Sequence, residues 1–136
     1  MRSNKLRSSG TKHDKGKNRV DLIPTEALEI LAEIYTRGAS KYAQHNWAKG
    51  MAWSRPYGAL LRHALAFWRG EETDAEFGTP HILHVAWNAI ALYMYSRYRR
   101  QYDDRYNWNT GKLGYGLGLL RAPRAGKHQR KAHVRH

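Results

Sequence analysis

Apolar residues return at helical spacing in three stretches of the chain, and runs of polar or turn-forming residues separate them. The first stretch predicts a helix from Pro24 to Arg37, with Leu28, Leu31, Ala32 and Tyr35 on one face. Pro24 suits a first helical position, Glu26 and Glu29 favour the electropositive start, and Gly38 is placed to stop it. Residues 41 to 53 lose the periodicity and read as an ordered loop. A second helix is expected with Ser54 as its cap, Pro56 in its first turn and Gly70 at its end. Tyr57, Leu60, Leu61, Ala64, Leu65, Phe67 and Trp68 leave it few polar positions, which predicts that it is largely buried. Thr79 and Pro80 repeat the cap-then-proline signal and open a third helix reaching Tyr102, with Leu83, Val85, Ala86, Ala89, Ile90 and Tyr93 as packing residues. No stretch alternates as a strand should. The expected fold class is all-α, a helical bundle whose apolar surface suggests completion by oligomerisation into a dimer or tetramer.

Composition refines this picture mainly through the placement of charge. The 136 residues carry a formal charge of +13. Residues 1–20 contribute seven Lys and Arg against Asp14, and residues 121–136 contribute six with no acid. The hundred residues between are close to neutral. Three regions follow: a basic N-terminal segment (1–20) expected to be partly ordered at the site, one helical domain (21–120), and a basic flexible tail (121–136). Cationic ends suit a small nucleic-acid-binding protein whose tails lie along a phosphate backbone, but the neutral body does not require nucleic acid as a partner. Cysteine is absent, which excludes a thiolate metal site and cysteine catalysis and fits a cytoplasmic setting. No apolar run approaches the length of a membrane span, so no membrane partner is expected.

Oxygen and imidazole donors concentrate where the second helix should give way to the third. The connection Gly70-Glu71-Glu72-Thr73-Asp74-Ala75-Glu76-Phe77-Gly78 leads directly into Pro80-His81-Ile82-Leu83-His84. His81, His84 and Asn88 share one stripe of a helix. If the loop folds back over the first turn, Glu71, Asp74 and Glu76 can converge with His81 and His84 around one or two cations, and His63 can point to the same place. Mixed carboxylate and imidazole ligation suits Mg, Mn or Co. Polar groups on the facing surfaces of apolar helices are costly without partners, which favours function for the set as a whole. Lys12, Lys15, Lys17, Arg19, Lys41 and Arg62 are cations of the kind a polyphosphate needs. Asn46 and Asn88 are further candidates for substrate contact, and Trp47 or Trp53 could stack on a base. The segment Gly114-Tyr115-Gly116-Leu117-Gly118 is a weak phosphate-loop signal, because neither a clear strand nor a clear helix flanks it.

The stretches "GTKHDKGKNRVDLIPTEAL", "YTRGASKYAQHNWAKGM" and "LLRHALAFWRGEETDAEFGTPHILHVAWNAIAL" together resemble the phage dATP/dGTP diphosphohydrolase family, related to MazG-like all-α nucleotide pyrophosphohydrolases. The most specific part is Arg62-His63, Gly70-Glu71, Asp74, Glu76, Gly78, His81, His84 and Asn88 in that order. The resemblance implies metal-dependent hydrolysis of a purine deoxynucleoside triphosphate, dGTP or dATP, to the monophosphate and pyrophosphate. In phages that replace adenine by 2-aminoadenine, such an enzyme would supply dGMP. Glu71, Asp74 and His63 are then expected to be catalytic, and Glu71, Asp74, Glu76, His81 and His84 to hold the metal. Lys15, Lys17, Arg19, Lys41, Asn46, Arg62 and Asn88 would bind substrate. One departure stands out: the third helix offers His81 and His84 where MazG-like enzymes carry a carboxylate pair, although Glu71 and Asp74 keep a Glu-x-x-Asp spacing.

Overall fold

A computed structural model describes residues 10–115, which form three helices and one short hairpin. Helix α1 spans Thr25–Tyr42, α2 spans Ser54–Trp68 and α3 spans His81–Tyr98. Single 3-10 turns at Val20–Leu22, Asn46–Lys49 and Arg100–Tyr102 connect or extend them. The strands β1 (Tyr106–Asn107) and β2 (Lys112–Leu113) pair antiparallel, Tyr106 opposite Leu113. The fold class is all-α as expected; the hairpin is too short to have shown an alternating pattern. The basic tail 121–136, the first nine residues and the glycine-spaced stretch beyond Tyr115 lie outside the described residues. No helix among the described residues is long and apolar enough to cross a membrane.

Several boundaries differ from the sequence reading. Helix α1 runs through Gly38 and carries Lys41 with it, because an interior glycine costs only about 1 kcal/mol and the Arg37–Glu33 ion pair at 2.7 Å braces the same turn. The chain reverses instead at Ala43 and His45, both with positive φ. Ser54 is the first helical residue of α2, not its cap; the Asp104 carboxylate accepts both its backbone N–H and its hydroxyl. Helix α3 stops at Tyr98, where the backbone tightens into the 3-10 turn.

Packing explains the larger corrections. Helices α2 and α3 make the principal contact, and α1 lies on α3. On α3 the buried residues are His81, His84, Asn88, Ala91 and Tyr95, one continuous stripe that is polar for its first half and apolar for its second. Polar side chains thus take positions that a globular helix normally fills with apolar ones. The displaced apolar residues Ile82, Ile90 and Tyr93 are exposed, as are Tyr57, Leu61, Leu65 and Trp68 of α2, so α2 is not largely buried within this chain. On α1 the buried residue is Ile34; Leu28 and Ala32 face solvent. Four rings, Tyr35, Trp47, Trp87 and Tyr95, meet at centroid distances of 5.8–6.3 Å and join α1, the 46–49 turn and α3. Trp53 is buried, its indole N–H donating to the Arg99 carbonyl at 3.2 Å. Trp47 and Trp53 are therefore parts of the packing.

Candidate active site

The acidic connection between α2 and α3 does fold back. Gly70 turns the chain with φ +93°, and the Glu71 N–H returns to the Ala66 carbonyl at 3.0 Å. Asp74 N–H donates to Thr79 O at 2.8 Å, and His81 N–H to Glu72 O at 2.9 Å, so the loop closes on the first turn of α3. Inside this closure the Asp74 carboxylate accepts from the backbone N–H groups of Glu76 (3.1 Å) and Phe77 (2.9 Å) through a single oxygen, Oδ2. That local turn fixes the aspartate through one of its two oxygens.

Three donor atoms converge there. His63 from the middle of α2, Asp74 from the loop and His81 from the first turn of α3 each offer one ligand atom, all within 4.8 Å of one another. The Nδ1 atoms of His63 and His81 lie 2.8 Å apart, one donating to the other. His84 stacks on His63 with ring centroids 4.6 Å apart, and its Nε2 is joined to the Thr79 hydroxyl at 2.7 Å. Burial, and then repulsion from the neighbouring imidazoles, holds the His63 pKa below the usual histidine range. Burial likewise lowers that of His84. Neutral imidazoles beside a carboxylate are the protonation states that a cation requires.

The remaining candidates divide by place. Glu71 sits at the edge, its Oε2 3.9 Å from His81 Nε2 and its other oxygen 3.6 Å from Arg69. Glu76 gives its carboxylate to Lys41, whose ammonium also lies over the Phe77 ring at 5.7 Å; together with Arg37 donating to the Phe77 carbonyl, this ties the loop to α1. Asn88 is buried with its amide donating to the His84 carbonyl at 2.8 Å. Asn46 starts the turn after α1 on the Trp47 side. Lys15, Lys17 and Arg19 are exposed; Lys17 pairs with Asp14 at 3.5 Å and Arg19 with Asp21 at 2.7 Å. Among the described residues no hydrogen bond or ion pair links these three to the histidines.

A cleft of about 490 Å³ opens between α2 and α3, lined among others by Arg55, Arg62, Trp87 and Asn88. Its size is that of small-molecule sites in general. Arg62 and Asn88 were legible in the sequence as candidates. Arg55 and Trp87 were not singled out, although Arg55 precedes Arg62 by seven residues, two turns of the same helix face, and Trp87 adjoins Asn88. Thr79, the partner of His84, carried only a capping signal.

The family model described as "dATP/dGTP diphosphohydrolase, N-terminal" matches residues 7–105. A Salmonella phage PMBT28 protein named dATP/dGTP diphosphohydrolase is 30% identical over 106 residues, which cover 78% of this chain and 36% of that protein. The chain thus spans about a third of the length of the curated relative it matches. No solved structure matches.

Proposed function

The chain belongs to the dATP/dGTP diphosphohydrolase N-terminal family, and from that membership we propose that it hydrolyses a purine deoxynucleoside triphosphate, dGTP or dATP, to the monophosphate and pyrophosphate. The observation that carries this reading is the convergence of His63, Asp74 and His81 beside a cleft of nucleotide size.

The donor set fits a divalent cation. Two imidazoles and one carboxylate suit Mn²⁺ or Co²⁺ better than Mg²⁺, which prefers oxygen throughout. His63, Asp74 and His81 would hold it, with Glu71 at the edge; when bound, it would polarise the α-phosphate and lower the pKa of the attacking water. The chain's own groups do the rest. The loop N–H groups keep Asp74 in place, and Thr79 holds the His84 ring beside His63. Water oxygen bonds to the α-phosphorus as the bond from that phosphorus to the bridging oxygen breaks. The bridging oxygen leaves with the electron pair as pyrophosphate, and the water proton passes to a carboxylate at the edge of the site, with Glu71 the candidate.

Incubation with each deoxynucleoside triphosphate and Mn²⁺ or Mg²⁺, followed by chromatographic separation, tests this. Deoxynucleoside monophosphate and pyrophosphate in equal amounts are expected. Early release of orthophosphate and diphosphate would overturn it.

A further inference from the structure

Most arginines of the described chain are occupied. Arg19, Arg37 and Arg105 pair with Asp21, Glu33 and Asp103, Arg69 lies 3.6 Å from Glu71, and Arg99 donates to the carbonyls of Ala48 and Tyr98. Arg55 and Arg62 are different. Both line the α2–α3 cleft, and neither guanidinium has a hydrogen bond or ion pair with a described residue. Their electrostatic neighbours are the Tyr95 hydroxyl for Arg55 and His63 for Arg62, so the two cations lie along the cleft in sequence from the histidine cluster. No carboxylate lines it.

Two turns of helix separate residues 55 and 62, about 10.5 Å along the axis, which is too far for a rigid pair to share one small anion. The Arg62 side chain shortens that separation. Its guanidinium lies back over Gly58, where a β-carbon would come within 3.1 Å of Arg62 Nη1. Residue 58 is three positions from Arg55, about 4.5 Å of axial rise, so the Arg62 fork reaches back toward the Arg55 end of the cleft. Gly58 thus provides the space that the Arg62 fork occupies.

We propose that Arg55 and Arg62 form a two-point cradle for the diphosphate portion of the substrate, the β- and γ-phosphates that leave as pyrophosphate. This deepens the hydrolase reading and rests on it for the identity of the ligand. Guanidinium forks match phosphate oxygens in pairs, and unpaired cations facing a cleft surrender no intramolecular ion pair when the anion arrives. With this end of the substrate at Arg55 and Arg62, the α-phosphate faces the cluster of His63, Asp74 and His81.

Inorganic pyrophosphate titrated calorimetrically into the full chain, with a chelator present, measures the cradle without catalysis. Arg55→Gln and Arg62→Gln should each raise the dissociation constant at least about tenfold, the loss of a hydrogen bond to a charged group. Orthophosphate should bind more weakly than pyrophosphate. Gly58→Ala, which a helix tolerates, should weaken pyrophosphate a few-fold by displacing the Arg62 fork while the helical circular dichroism is retained. Unchanged pyrophosphate affinity in both glutamine variants, or equal affinity for orthophosphate and pyrophosphate, would overturn the cradle even if hydrolysis proceeds. Conversely, pyrophosphate binding that depends on both arginines, in a protein that hydrolyses no triphosphate, would retain the anion site and remove the hydrolase reading.

Discussion

Two segments bring aspartates to opposite ends of α2, and they spend them differently. At the C-terminal end, Asp74 is oriented by two N–H groups of its own loop, both on one oxygen, and a carboxylate oxygen comes within 4.8 Å of donor atoms of His63 and His81. At the N-terminal end, both aspartates that follow α3 are consumed. Asp104 accepts the Ser54 N–H at 2.9 Å and its hydroxyl, capping α2 from 50 residues away. Asp103 takes a bidentate fork from Arg105, at 2.8 and 2.9 Å, and the Tyr115 N–H at 3.3 Å. Arg105 is itself held between Trp53 and Tyr115, 4.7 Å from each ring. Asp74 has one oxygen engaged by backbone N–H groups alone and no cation paired to it among the described residues, whereas Asp104 joins two distant elements and Asp103 is neutralised by the Arg105 fork two residues on.

The widest separation between the two ends should come from Asp74→Asn. Turnover is expected to fall by about 100-fold or more, the usual scale for a group at the reacting centre, while the thermal midpoint moves little because the amide oxygen can still accept the loop N–H groups. Steady-state rates at saturating Mn²⁺, set beside a melting curve, give both numbers, and near-normal turnover would place the ligand function elsewhere. Asp104→Ala should do the reverse. Losing the α2 cap costs about 1 kcal/mol, read as a lower denaturation midpoint, with kcat per folded molecule unchanged.

The two ends should also part company in acid, a smaller effect. His63 and His84 have folded pKa values below the ordinary histidine value, so the unfolded chain binds their protons first. Their contribution to stability is complete above about pH 6.5 and falls as the pH drops below that, levelling once the folded pKa values are passed. Arg105 holds the Asp103 carboxyl down to about 2, so the stability it adds is present above its ordinary value near 3.8 and is lost as the pH falls through about 2. Thermal midpoints of the metal-free protein from pH 7.5 to 2 should show both declines, and Asp103→Asn should reduce the lower one, to which Asp104 with its lowered pKa also contributes, without touching the upper. A flat profile between pH 6.5 and 5 would show that the imidazoles are not held neutral by burial.

Local signals carried three helices, the turn at Gly70 and the stripe of His81, His84 and Asn88 legibly in the sequence. Spacing along a helix and capping chemistry act over a few residues, so they survive in any tertiary setting. The concentration of ligands around residues 71–84, and the order of residues that marks the family, were equally open to reading. Only the tertiary structure decided which of these groups meet. Glu76 and Asp74 are alike in the sequence, yet Lys41, 35 residues away, takes Glu76, whereas Asp74 meets His63 of the preceding helix. Likewise nothing local distinguishes Arg55 and Arg62, which face a cleft without a side-chain partner among the described residues, from Arg99, which donates to the carbonyls of Ala48 and Lys49 about 50 residues away. Partner choice depends on Coulomb and hydrogen-bond terms between elements far apart in the chain, and periodicity contains no record of them.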